Sequence, residues 1–294
     1  MVRSSTTRGG AAAAARGWWR TTPVAAALAA TAALTALVGC GDDAVEGTPT
    51  AGATAPSSAS AGPAAAGEPE VVTGSGDVQD AVTRYRTLLG PDNGGGPEGD
   101  PNGRREVNWD GVPDEFAAPN ALPGDFFNAP VAPRARGLFL TTTGDRLTVS
   151  ADDDNPTGTP VRFADVNPSY AEQFRAFSAQ RLFSPQGTNV VDVTFLVPGT
   201  TTPAVVRGFG AVYTDVDGEH AAEFEFFDAS GTSLGTHTVP VSGDGLSFLG
   251  IAYPEPVVAR VRVVYGNAAL GPDDSAQYDV AVMDDFIFGE PRAQ

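Results

Sequence analysis

From about residue 104 onward, apolar and polar positions alternate in short runs broken by Gly, Pro and Asp. Segments 137–141, 146–150, 190–197, 205–216, 222–227, 234–241, 246–253, 257–265 and 278–288 each fit a strand with a period of two. In 223–228, Phe224 and Phe226 point one way into a core while Glu223 and Glu225 point to water. Arg260 and Arg262 repeat that arrangement around Val261 and Val263. A series of such strands without helices between them predicts an all-β fold, an antiparallel β-sandwich.

Two segments have helical spacing instead. Val78, Val82, Tyr85, Leu88 and Leu89 fall on one helical face, with Asp77 placed to cap it and Gly90-Pro91 to stop it. A Gly/Pro/Asp loop follows at 91–103. Tyr170, Phe174 and Phe177 predict a second, shorter helix in 169–178, lying across a sheet edge. Residues 41–76 are almost all Ala, Gly, Pro, Ser and Thr, too poor in apolar surface to offset the entropy of ordering. They are expected to form a disordered tether.

The longest apolar run, 23–37, follows Arg3, Arg8, Arg16 and Arg20 and is shorter than the roughly 20 residues a membrane span needs. It leads into Leu37-Val38-Gly39-Cys40, which resembles a bacterial lipobox. The resemblance implies lipid on Cys40, cleavage before it, and a protein held by that lipid on the extracytoplasmic side of the cell membrane. The chain then divides into a signal peptide at 1–39, a lipidated cysteine and linker at 40–76, a helix and glycine-rich loop at 77–103, and the sandwich at 104–291. Cys40 is the only cysteine, so no disulfide or thiolate chemistry is left for the sandwich.

The 18 basic residues, all arginine, face 36 acidic ones, for a net charge of −18. Such a charge repels nucleic acid and anionic membrane surfaces, and argues against both as direct partners.

Candidate chemistry is confined to carboxylates. Asp215 and Asp217, at i and i+2 before Gly218, would project from one face of a strand end and suit an oxygen cage for a cation. A hairpin turn calls for the same residues. Asp152 to Asn155 lacks the spaced acids of a calcium loop and reads as a solvated turn. Glu223, Glu225 and Asp228 could supply the two carboxylates of a glycosidase, although the wet face of a sandwich strand produces such spacing by itself. His220 and His237 read as surface residues, and neither a zinc-hydrolase nor a serine-triad motif is present, so no catalytic residue is assigned. Trp109, Tyr213, Tyr253 and Tyr265 would either stack on a sugar or fill the core.

The closing segment 280–288 carries Asp284 and Asp285 between apolar residues and an aromatic end. It resembles the last strand of jelly-roll modules, carbohydrate-binding ones among them, and Asn108-Trp109-Asp110-Gly111 is similar to their first strand. Segments 207–217, 227–235 and 246–252 fit the same family, one of uncharacterised secreted bacterial sandwich proteins. The resemblance implies a jelly roll and a structural calcium tying first strand to last, with Asp110, Asp284 and Asp285 as ligands. Strand alternation allows only one of that adjacent pair to share a face with Val280, Val282 and Phe286. The expected function is a non-catalytic module that binds an extracellular glycan or a surface protein. A carboxylate-dependent glycoside hydrolase and a surface spacer without a small ligand are the alternatives.

Overall fold

The computed structural model describes residues 66–275 and 277–294; the predicted signal peptide, Cys40 and the tether up to residue 65 lie outside them. Strand β1 (Glu70–Ser75) and helix α1 (Gln79–Leu89) precede β2 (Arg104–Val107), β3 (Leu138–Thr141) and β4 (Arg146–Val149). A short helix α2 (Tyr170–Gln173) leads to β5 (Phe183–Gln186), β6 (Val190–Phe195), β7 (Ala204–Val205) and β8 (Gly208–Val216). Strands β9 (Glu223–Phe227), β10 (Ser233–Thr238), β11 (Ser242–Ala252), β12 (Arg260–Val264), β13 (Val282–Gly289) and β14 (Arg292–Ala293) follow.

The strands form an all-β antiparallel sandwich. One sheet runs β1-β11-β8-β13-β5-β4, with β2 also paired to β13; the other runs β10-β9-β12-β6-β3. Within these, the order β5-β13-β8-β11 faces β6-β12-β9-β10, so the chain passes between layers in the double Greek-key manner of a jelly roll. Phe224 and Phe226 of β9 meet Phe209 of β8 and Tyr253 across the layers, as the alternation in β9 requires.

The larger sheet is covered on both faces, which is why β8 and β13 are buried at every position. Helix α1 supplies the second cover, packing Val82, Tyr85 and Leu89 against Val212, Phe248 and Ile287. The Tyr85 ring lies on a bare patch made by Gly210 and Gly250, and its hydroxyl donates to the carbonyl of Ile251 at 2.9 Å. A Cβ on Gly250 would come within 2.6 Å of that ring, so glycine here serves close approach rather than a turn.

The expected linker up to residue 76 and sandwich start at 104 need correction. Residues 70–75 form β1, paired along its whole length with β11 from Glu70↔Ala252 to Ser75↔Ser247. Backbone pairing to an edge strand needs little from composition, and Val72 adds a buried side chain. The sandwich thus begins at Glu70. The glycine-rich loop is likewise tied down, because Arg105 donates to the carbonyls of Gly94 and Gly96 and Asn93 holds Asp100. Asp77 accepts the Gln79 N–H at 3.1 Å just ahead of α1. Around α2, Tyr170 and Phe174 stack and cover Val280 and Val282.

Candidate polar site beside helix α1

Strand β13 carries a register shift between Met283 and Phe286. Regular alternation would have placed one of Asp284 and Asp285 in the core. The bulge instead turns both carboxylates to the outer face, while Met283 and Phe286 stay inside. The expectation that only one of the pair shares a face is overturned by that extra residue. Trp109 fixes the bulge: its indole N–H donates to the carbonyl of Asp284 at 2.7 Å, and its ring stacks on Phe183 at 4.2 Å.

Asp110 and Asp284 do come together, through Ser178. The Ser178 hydroxyl lies 3.1 Å from Asp110 Oδ2 and 2.9 Å from Asp284 Oδ1. The remaining oxygens are taken by backbone donors: Gln180 and Arg181 N–H on Asp110, and Phe177 and Ser178 N–H on Asp284. These two aspartates clamp segment 177–181 onto the sheet, work that the implied calcium would otherwise do. Asp285 lies beside Asp284 and also reaches Arg86 NH2 at 3.3 Å. Among the described residues no three His, Cys, Asp or Glu side chains are gathered as a ready metal cage. With every oxygen of Asp110 and Asp284 already within reach of a protein donor and Asp285 beside Arg86, these three do not fit a calcium ion as placed.

Between α1 and the outer face lies a polar cavity of about 350 Å³, lined by Arg86, Asp92, Glu106, Asn108, Arg136 and Asp285 among others. Alternation in β2 sends Glu106 outward, while Arg105 is buried under the loops that carry Gly96 and Ala135 and Val107 joins the main core. Arg86 reaches from α1 with its Nε and NH2 on Glu106, the closest contact being 2.6 Å, and Arg104 Nε holds the same carboxylate. Arg136 NH1 donates to the Glu106 carbonyl at 2.5 Å. Two buried polar atoms here have no partner, Asp285 Oδ1 and Arg136 Nε. Burial and the neighbouring charge of Asp285 push Asp284 well above the ordinary carboxylate range, and burial raises Asp285 too.

Of this cavity, only Asp285 stood among the sequence candidates. Arg86 is on a helix read for its apolar face, and Glu106 is on a short charged strand with no apolar alternation to mark it.

The other candidates fall elsewhere. Asp215 and Asp217 lie at the far end of β8, described below. Glu223 and Glu225 sit on the open outer face of the smaller sheet, and Asp228 caps its own turn by accepting from Ser230 and Thr232. The three acids do not converge. Trp109, Tyr213, Tyr253 and Tyr265 are each at most 1 % exposed, so none offers a platform to a sugar. Trp109, Tyr213 and Tyr253 donate to backbone carbonyls of Asp284, Val264 and Leu234, whereas the buried Tyr265 hydroxyl has no partner.

No family model matches the chain, and no curated protein matches it. Among solved structures, the chain is similar to the enzymatically active domain of tailspike protein 4 from bacteriophage CBA120. That match has 13% identity and a TM-score of 0.22, and covers 65% of this chain and 21% of the tailspike chain. A superposition at that level transfers neither fold nor function.

Proposed function

We propose that the protein is a cell-envelope lipoprotein whose sandwich binds an extracellular glycan, without catalysis, in the polar cavity beside α1. The observation that carries this reading is the lining itself. Carboxylates of Asp285, Glu106 and Asp92 and the donors of Arg86, Arg136 and Asn108 together line a space of about 350 Å³. A sugar hydroxyl both donates and accepts, which suits a lining that mixes carboxylates with guanidinium and amide donors. The volume lies within the range of small-ligand sites. Binding is favoured over hydrolysis because Asp284 and Asp285 are neighbours on one strand, whereas a glycosidase sets two carboxylates on either side of the bond it cuts. Glu106 is moreover engaged by two arginines.

Glycan-array profiling of the full chain tests the reading. Wild-type protein should retain a discrete set of glycans, and Asp285→Asn should weaken their binding by about tenfold to a hundredfold, as loss of a charged hydrogen bond does. Equal retention by the variant, or no retained glycan, discards the cavity as a sugar site. The lipid anchor rests on the 37–40 motif alone. Cys40→Ser should move the protein from the membrane fraction to the soluble one, and unchanged partitioning rules the anchor out.

A further inference from the structure

A second group of acids gathers at the other end of β8, from three separate stretches of chain. Asp215 is the next-to-last residue of the strand, Asp217 follows its end, Asp244 lies in the irregular start of β11, and Asp274 and Asp279 come from the β12–β13 connection. Hydrogen bonds draw these stretches together. Asp215 Oδ1 accepts the Asp244 N–H at 2.7 Å, and Asp279 Oδ2 accepts the Asp217 and Gly218 N–H groups at 3.1 and 2.8 Å. Asp217 lies over Gly243, where an added Cβ would stand 2.5 Å from its Oδ1. Asp215 and Asp244 both hold left-handed backbone, φ 66° and 50°, which breaks strand alternation at the point where the two stretches meet.

An acidic turn cluster alone would be unremarkable on a chain of this charge. Two of these carboxylates, however, are buried and incomplete. Asp215 and Asp279 are each 2 % exposed, and Asp215 Oδ2 and Asp279 Oδ1 have no hydrogen-bond partner. Buried carboxylate oxygens without a donor are costly, and here the nearest charges are other carboxylates. Burial, with repulsion from Asp217, Asp274 and Asp244, pushes Asp215 up to about 7. Asp274 is raised to about 6 by burial and by Asp217, Asp279 and Asp244.

We infer that this end of the sandwich is a calcium site, built on the unpartnered oxygens of Asp215 and Asp279 and completed by Asp217, Asp244 and Asp274. Among the described residues no three acids are yet gathered as a metal cage, so binding must close the site, and the exposed side chains of Asp217 and Asp244 are the ones left to do it. Carboxylates on adaptable loops suit calcium, which accepts six to eight oxygens in loose geometry, better than magnesium, which demands a near-ideal octahedron. The site is distinct from Asp110, Asp284 and Asp285, and does not depend on the glycan reading.

The test uses the full chain with metal alone. Terbium(III) bound here should emit on tyrosine excitation, since the Tyr170 hydroxyl donates to the Gly271 carbonyl in the connection that carries Asp274, and calcium should displace it whereas equimolar magnesium should not. Calcium at a hundredfold excess over its dissociation constant should raise Tm by roughly 5–11 °C, and chelator should reverse the shift. Asp215→Asn should abolish both signals and Asp284→Asn should keep them. Should Asp215→Asn fail to fold, the double variant Asp217→Asn/Asp244→Asn changes only exposed side chains and should weaken terbium binding at least tenfold. Absence of emission and of a calcium shift in the wild type overturns the assignment. So does a response that survives the folded double variant or disappears in Asp284→Asn.

Discussion

Arg105 and Glu290 form a two-pronged ion pair, with Nε–Oε2 and NH2–Oε1 both at 2.7 Å, and Arg105 has no exposed surface. It joins β2 to the residue that follows β13. The other guanidinium donors are used on Gly96 at 2.6 Å and Ala135 at 2.8 Å, and Asn93 completes Glu290 at 2.7 Å. A buried pair of this kind adds little over an apolar substitute, yet removing one partner leaves an uncompensated charge.

Glu290→Gln should therefore cost about 3–5 kcal/mol in urea unfolding, far more than an exposed pair such as Arg84–Glu70. Glu70→Gln serves as the control and should cost under about 1 kcal/mol. Equal, small losses for the two variants would show that water reaches Arg105 and that the loop at 94–96 is loosely held.

The docking of α1 rests on shape. Gly250→Ala places a methyl 2.6 Å from the Tyr85 ring, and overpacking of this sort costs about 1–3 kcal/mol. In a Tyr85→Ala background the methyl has room, so the same substitution should cost much less. A double-mutant cycle by urea unfolding measures the difference. Additive losses would mean that α1 adjusts to the methyl without strain.

Much of the sandwich was legible because one-sided burial writes itself into alternation: Phe224 and Phe226 against Glu223 and Glu225 is the plainest case. What escaped was held by partners distant in sequence. Strand β1 looks like tether because its gain comes from pairing with β11, more than 165 residues on, as the Ser75 hydroxyl to Val241 carbonyl bond illustrates. Arg105 is charged yet buried, which no hydropathy pattern marks. At the sites, Asp284 and Asp285 could be named but not oriented, because a bulge is a property of the sheet. Asp215 and Asp217 could be paired by spacing, whereas Asp274 lies in an unassigned connection and Asp279 in a segment read as the start of the last strand, which in the fold begins only at Val282. Tyr213, Tyr253 and Tyr265 carry polar tips that left surface and core both open, and the second sheet decided for the core.

The Asp284–Asp285 pair makes a prediction about pH. Burial is the larger influence on both, and the charge of Asp285 adds to it for Asp284; the donors of Phe177 and Ser178, and Arg86 beside Asp285, act the other way and are outweighed. The single hydroxyl hydrogen of Ser178, placed between Asp110 and Asp284, can serve only one of them at a time, which also favours a proton on the pair. In the unfolded chain both aspartates titrate near ~3.9. The folded state binds the more protons above that pH, so stability falls as pH rises, by up to ~1.4 kcal/mol per unit for one proton. The contribution is complete below about pH 4 and is lost as pH climbs through the raised titration of the pair. Asp215 and Asp274 tilt the profile in the same direction, so the informative quantity is the difference between wild type and Asp285→Asn. Urea midpoints taken from pH 4.5 to 8 should fall more steeply for the wild type, with the variant gaining relative stability toward pH 8. Parallel profiles would mean that the pair ionises freely in the fold and that its cavity is as wet as the surface.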